Sequence, residues 1–204
     1  MNDHFNLYWS AGIAAGVIAA IDPLPYIRDT IRGSTRPHRG TWLIWTLHTM
    51  IAFWSQLADG GTWSLGMVAV QAVSTAFIFC LSIRRGEGGM TRRDQAMLAL
   101  AGFGLLGWAV TSTPMVATVC VIVADAVGAV MMLPKTWRDP WSETWSTYAL
   151  ASLSGLLSSV AATGGGVELL AFPVYFTVIT GLTVAVILWR RRVLAGSPIA
   201  VVVA

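Results

Sequence analysis

The sequence predicts an all-α membrane protein of seven transmembrane helices. They are arranged as two parallel three-helix-bundle repeats joined by a linker helix. Three observations carry this prediction. First, the 204 residues are 55% apolar and only 11% charged, whereas an average soluble protein carries about 25% charged residues. Such low charge excludes an ordinary soluble domain, and such high hydrophobicity excludes a disordered chain. Second, the apolar residues fall into seven runs, and all 13 Lys and Arg residues sit in alternate connections between them. Third, the two ends of the chain align with each other at an offset of 103 positions.

A membrane helix needs about 20 predominantly apolar residues. Residues 8–27 make the first run. The residues before it contain Asp3 and no Lys or Arg, so it lacks the basic flank of a signal peptide and is expected to be a retained helix. Span two, 41–57, opens on Thr41-Trp-Leu-Ile-Trp45, and span three covers 62–83. Span four, 95–112, follows Thr91-Arg92-Arg93-Asp94, which reads as a capping box. Spans five, six and seven cover 115–134, 143–162 and 167–189. The expected organisation is a first repeat over 1–86, a linker helix over 87–113, a second repeat over 114–192, and a cytoplasmic tail over 193–204 that is too short to cross a bilayer.

Charge orients the chain. Arg28, Arg32, Arg36 and Arg39 follow span one, and Arg84, Arg85, Arg92 and Arg93 follow span three. Lys135 and Arg138 follow span five, and Arg190, Arg191 and Arg192 follow span seven. The opposite connections hold Asp3, Asp59 and Glu168 and no basic residue. The positive-inside rule then predicts an outside N-terminus and a cytoplasmic C-terminus.

At the offset of 103, Asp22 falls on Asp125, Pro37 on Pro140, Thr41 on Thr144, Trp42 on Trp145 and Trp45 on Tyr148. The offset maps span one on five, two on six and three on seven, leaving span four as the linker. Parallel repeats of this kind meet at an axis along the membrane normal, and a path between them is the natural place for a substrate.

Pro25-Tyr-Ile-Arg-Asp-Thr-Ile-Arg32-Gly-Ser34-Thr35 and Pro134-Lys-Thr-Trp-Arg138-Asp-Pro140-Trp-Ser142-Glu-Thr144 stand at the basic ends of spans one and five. Both resemble the PQ-loop signature, with Tyr26 and Lys135 where that signature has glutamine. The whole layout is similar to the PQ-loop/SWEET-like superfamily of 3+1+3 seven-helix membrane proteins, and in particular to its bacterial members. The resemblance implies a carrier of small solutes in the cytoplasmic membrane of a bacterium. Retrieval receptors share the same seven-helix plan.

Asp22 and Asp125 are the sharpest chemical feature. Each lies in an apolar run, where a carboxylate costs roughly 2.5–3.5 kcal/mol at the bilayer centre, so each is expected to face a cavity or a partner. They are candidates for binding a solute or a coupling proton; as structural residues they would instead lock helices together. His48 stands one turn beyond Trp45 and either joins a proton network with the aspartates or serves as a core hydrogen bonder. Gln71 lines the path or bonds helices together. Trp42 and Trp145 are expected as belt or gate aromatics, whereas Trp45 and Tyr148 lie deeper and face the path. Pro23, Pro25, Pro134 and Pro173 are hinge candidates that also serve to end helices.

Other chemistries find no footing in the sequence. Gly102-Phe-Gly104-Leu-Leu-Gly107 fits a dinucleotide fingerprint in letters but has no preceding strand. Retinal needs a lysine within a span, and Lys135 stands at a helix end. Cys80 and Cys120 lie in apolar runs, as packed thiols do. No nucleophile–base set or metal cluster is evident, so neither an enzyme nor a cofactor is expected, and a net charge of +3 does not argue for nucleic acid. Gly12 and Gly16 form a GxxxG that suits packing within the chain first and a homo-oligomer second. The expected function is a transporter or facilitator of a small polar solute, with a proton as candidate coupling ion. A ligand-binding receptor on the same fold is the alternative, ahead of a membrane enzyme or accessory subunit.

Overall fold

A computed structural model describes residues 2–58, 64–89, 91–110, 114–163 and 166–196. Within them the chain forms eight α-helices: α1 (Asn2–Ile21), α2 (Pro23–Arg32), α3 (Arg39–Ala58), α4 (Ser64–Arg85), α5 (Arg92–Val110), α6 (Pro114–Arg138), α7 (Trp145–Ala161) and α8 (Val167–Ala195). A 3-10 turn at Pro140–Ser142 precedes α7, and the only β feature among the described residues is an isolated bridge between His38 and Glu87. Since α1 and α2 are one span interrupted at Asp22, the protein is all-helical with seven helical rods. Gly164, Gly165 and the tail beyond Gly196 lie outside the described residues.

Among the described residues, three stretches are long and apolar enough to cross a membrane: Leu7–Arg32, Thr118–Arg138 and Leu169–Ala195. The surface agrees with that environment. Trp9, Ile13, Val17 and Ile21 recur every fourth residue as an exposed stripe on α1, and Val174, Val178 and Leu182 do the same on α8. Buried polar side chains meanwhile outnumber buried apolar ones among the described residues. Lipid reverses the usual preference, because outside the protein there is no water to satisfy a polar group.

The break at Asp22 has a local cause. Asp22 still closes α1 by donating its N–H to the Ile18 carbonyl at 2.9 Å. Pro23 and Pro25 then have no N–H to offer the preceding turn, so the backbone ladder is interrupted and restarts as α2. Gly33 ends α2 at φ +81°, a left-handed conformation that suits glycine, and donates to the Thr30 carbonyl at 3.1 Å. Of the four hinge candidates, only Pro23 and Pro25 therefore coincide with an interruption. Pro134 and Pro173 lie inside helices that continue past them.

Packing joins α3 with α4, α5 with α6, and α7 with both α8 and α1, while α6 lies against α3 and α8. Hydroxyls tie these faces together. Thr49 Oγ1 meets Thr75 Oγ1 at 2.9 Å across α3 and α4, and Ser154 Oγ donates to the Ala15 carbonyl at 2.9 Å across α7 and α1. Ser152 Oγ donates to the Thr177 carbonyl at 3.0 Å across α7 and α8. The connections carrying the arginines are sewn together by backbone bonds: Arg36 N–H donates to Ser142 O, Glu87 N–H to Pro37 O and Arg39 N–H to Glu87 O, each at 3.0 Å.

The sequence-predicted capping box forms. Thr91 Oγ1 accepts the Asp94 N–H at 3.1 Å, and Asp94 Oδ2 accepts the N–H groups of Thr91 (3.1 Å) and Gly89 (3.0 Å). Burial alone would raise the Asp94 carboxyl, but these hydrogen bonds and nearby His38 outweigh it and hold its pKa below the ordinary carboxylate value. The folded carboxyl thus binds a proton more weakly than the unfolded one, so its contribution is present above the unfolded pKa and lost as pH falls through the folded one. Asp94→Asn is expected to lower thermal stability at pH 7 by about 1 kcal/mol, with the deficit fading below about pH 4. Melting curves of the two detergent-purified proteins at both pH values measure this.

Candidate functional site

A cavity of about 340 Å³ lies between the helices. Asp22 reaches it from the break between α1 and α2, and Trp42, Trp45 and His48 reach it from one face of α3. Gln71 enters from α4, Asp125 from α6, Tyr148 from α7 and Pro173 from α8. The structure thus gathers both aspartates and the sequence-predicted path residues around one space. Pro23, Pro25, Pro134 and Trp145 do not line it. Trp145 is 42% exposed, whereas Trp42, expected like it as a belt or gate aromatic, is 5% exposed and belongs to the buried cluster. The two tryptophans matched in sequence therefore differ in setting: one faces outward, the other inward.

The aspartates have unequal surroundings. Asp125 Oδ2 accepts a hydrogen bond from Tyr175 Oη at 2.8 Å. Asp22 is buried and has no side-chain hydrogen bond among the described residues. His48 packs edge-on against Phe172, with ring centroids 6.4 Å apart, and no hydrogen bond links it to either aspartate. The expected proton network among the three is thus absent as a chain of direct bonds, although all three border the same space. Trp45 fits closely because α6 has glycine opposite it: a Cβ on Gly128 would lie 2.7 Å from the indole nitrogen. That nitrogen donates to the Asp125 carbonyl at 3.4 Å.

At the basic end the cavity stops against a buried polar network. Glu143, 1% exposed, accepts hydrogen bonds through Oε2 from the hydroxyls of Tyr26 and Tyr148, each at 3.0 Å. Through Oε1 it pairs with Lys135, itself 3% exposed, whose Nζ also donates to the Ser142 carbonyl at 3.1 Å. Trp42 Nε1 donates to Tyr26 Oη at 3.1 Å, and Arg191 clamps the Glu143 backbone carbonyl at 2.7 Å. Tyr148 and Trp42 face the cavity, and Lys135 faces a recess of about 550 Å³ on the other side. Tyr26 and Glu143 fill the space between them.

That recess is lined by both signs of charge. Arg36 pairs with Asp139 and lies 3.7 Å from Glu87, and His38 Nε2 stands 4.0 Å from Asp94. Burial lowers the His38 pKa, with Asp94 opposing the shift.

In the sequence Lys135 stands as an orientation charge and Glu143 as the start of a span. Both are instead members of the buried network. The available signal was their spacing: a lysine at the end of one apolar run and a glutamate at the start of the next, joined by a tight Pro140 turn. Tyr175 was also missed, because nothing local sets it apart from other aromatics in span seven.

Removing one partner from a buried ion pair strands the other charge, which costs about 3–5 kcal/mol, whereas replacing both by apolar or neutral groups costs far less. Lys135→Met and Glu143→Gln are each expected to destabilise the protein by roughly this much, and the double variant by less than either. Unfolding midpoints of the four proteins in one detergent measure the coupling.

Comparison with family models, with curated proteins and with solved structures finds no match to this chain.

Proposed function

We propose that this protein is a membrane transporter or facilitator of a small polar solute, working by alternating access between two parallel three-helix repeats. The repeats are 1–86 and 114–192, with α5 as the linker. The N-terminus lies outside and the C-terminus in the cytoplasm of a bacterial cell. Solute and any coupling proton meet Asp22, Asp125 and His48, while Trp45, Tyr148 and Gln71 wall the path. The protein acts as a carrier and not as an enzyme, on the PQ-loop/SWEET-like plan.

The observation that carries this proposal is the single cavity bordered by both intramembrane aspartates. An ionisable group held away from lipid and facing a cavity is the usual mark of a solute or proton pathway. Helix pairing supports the repeats: α3 on α4 corresponds to α7 on α8, and α1 on α7 corresponds to α6 on α3. In each half, moreover, an arginine from the third helix donates to a carbonyl near the end of the first, Arg85 to Thr30 and Arg190 to Trp137. Arg36 and Asp139, 103 positions apart, pair across the expected axis. The Lys135–Glu143–Tyr26–Tyr148 network acts as the closed cytoplasmic gate, so that opening the path inward requires breaking it.

Proteoliposomes carrying the protein are expected to take up some member of a panel of small polar solutes. Asp125→Asn should reduce that flux at least about tenfold or abolish its pH dependence. Unchanged flux with an unchanged pH profile would remove Asp125 from the mechanism, and saturable binding without any flux would favour a receptor. The orientation has its own check: a C-terminal green fluorescent protein should fluoresce, and a C-terminal alkaline phosphatase should be inactive.

A further inference from the structure

We infer that the ligand of the central cavity is a small organic monocation, an ammonium group on an apolar or aromatic body. This inference rests on the proposed solute-binding role of that cavity and names the chemistry of its solute.

The cavity wall carries two carboxylates and, among the described residues, no cationic Lys or Arg side chain. Asp22 has no side-chain partner, and Asp125 has one carboxylate oxygen engaged by Tyr175 and the other unengaged among the described residues. Thr147 Oγ1, also on the wall, has no hydrogen-bond partner and keeps its proton as well as its lone pairs. Most other hydroxyls there have already donated inward. Thr75 bonds the Gln71 carbonyl at 2.9 Å, Thr180 the Phe176 carbonyl at 2.6 Å, Thr183 the Ile179 carbonyl at 2.8 Å and Ser154 the Ala15 carbonyl at 2.9 Å. Such oxygens keep a lone pair to offer but no proton. Gln71, His48 and Ser158 add neutral donors to the same wall, so charge and not donor count discriminates among ligands.

Charge excludes several classes. Among the described residues no Lys or Arg lines the cavity. Lys135, the nearest in the network below, is held by Glu143 and Ser142 behind Tyr148. An anion, or the carboxylate of a zwitterion, would therefore be buried without a counter-charge. A bare metal ion is also a poor fit: no group of three or more His, Cys, Asp or Glu side chains gathers for one among the described residues, and the space is far larger than an ion. What the two carboxylates favour is a cation with a body. Trp42, Trp45, Tyr148, Phe172 and Phe176 supply ring surface around the carboxylates. Aromatic faces attract ammonium groups electrostatically and pack against the hydrocarbon attached to them.

The test uses the full chain in nanodiscs and benzylammonium as the probe, at neutral pH, followed by calorimetry. Its comparators are benzyl alcohol (neutral), benzenesulfonate (anionic), phenylalanine (zwitterionic) and sodium chloride. The cation is expected to bind saturably and at least about tenfold tighter than each comparator. Asp22→Asn and Asp125→Asn should each weaken it about tenfold, while the Asp→Glu variants retain most of the affinity. Equal binding of a neutral or anionic probe, or an unchanged affinity in both Asn variants, overturns the inference. The comparison of probes on the unaltered protein decides the matter even if an Asn variant fails to fold. Cation binding without flux sinks the transporter proposal alone, and flux of neutral solutes with no cation preference sinks this inference alone.

Discussion

The carboxylate of Glu143 is the constraint on which the basic end of the structure depends. It is almost wholly buried, yet it receives a lysine, two tyrosine hydroxyls and, through its own backbone, an arginine. These partners come from α2, α6, α7 and α8. A buried carboxylate is tolerated only when nearly all its lone pairs are answered, so the four elements have little freedom to settle elsewhere. A buried ion pair adds little net stability against a well-packed apolar alternative; its effect is to select one arrangement, because every misplaced alternative leaves a charge without a partner.

The same logic explains why the interior is polar. Between helices in lipid, apolar contact does not by itself favour association, since the surrounding acyl chains offer the same contact. Hydroxyls that reach across to a neighbouring helix, such as Ser154 to Ala15 and Ser152 to Thr177, give the packing its specificity. Small residues bring backbones close enough for this. A Cβ on Gly155 would lie 3.0 Å from the Thr177 backbone nitrogen, so α7 and α8 approach there closely enough that a larger residue would push them apart by a few tenths of an ångström. The break at Asp22 is the complement to this close packing. Two prolines stop the α1 ladder, and an acidic side chain is left at the opening beside the cavity.

Much of the site was legible before any coordinates. Asp22, Asp125, His48 and Gln71 stand out because polar residues in long apolar runs are anomalies along the chain itself. The capping box at Thr91 and Asp94 was legible for the same reason, since all its partners lie within a few residues. Legibility failed where the partner is remote. Tyr26 meets Glu143 across 117 positions, and Tyr175 meets Asp125 across 50. Neither pairing has a local signature.

The tryptophans draw the boundary most clearly. Trp42 and Trp145 occupy matched positions at the starts of their helices, and residue type alone makes both of them belt or gate candidates without telling them apart. In the structure Trp42 turns inward to Tyr26 and the cavity, while Trp145 faces out. Composition, apolar run lengths and the positions of charge by themselves determined a helical membrane protein with unusual acids inside it, because hydrophobicity and punctuation are properties of short windows. Only the tertiary structure decided that those acids border one cavity, that Lys135 pairs with Glu143 in a buried network, and which of two like tryptophans faces the cavity. Those facts depend on how α2, α3, α6 and α7 rotate about their own axes when packed, and no local window records that rotation.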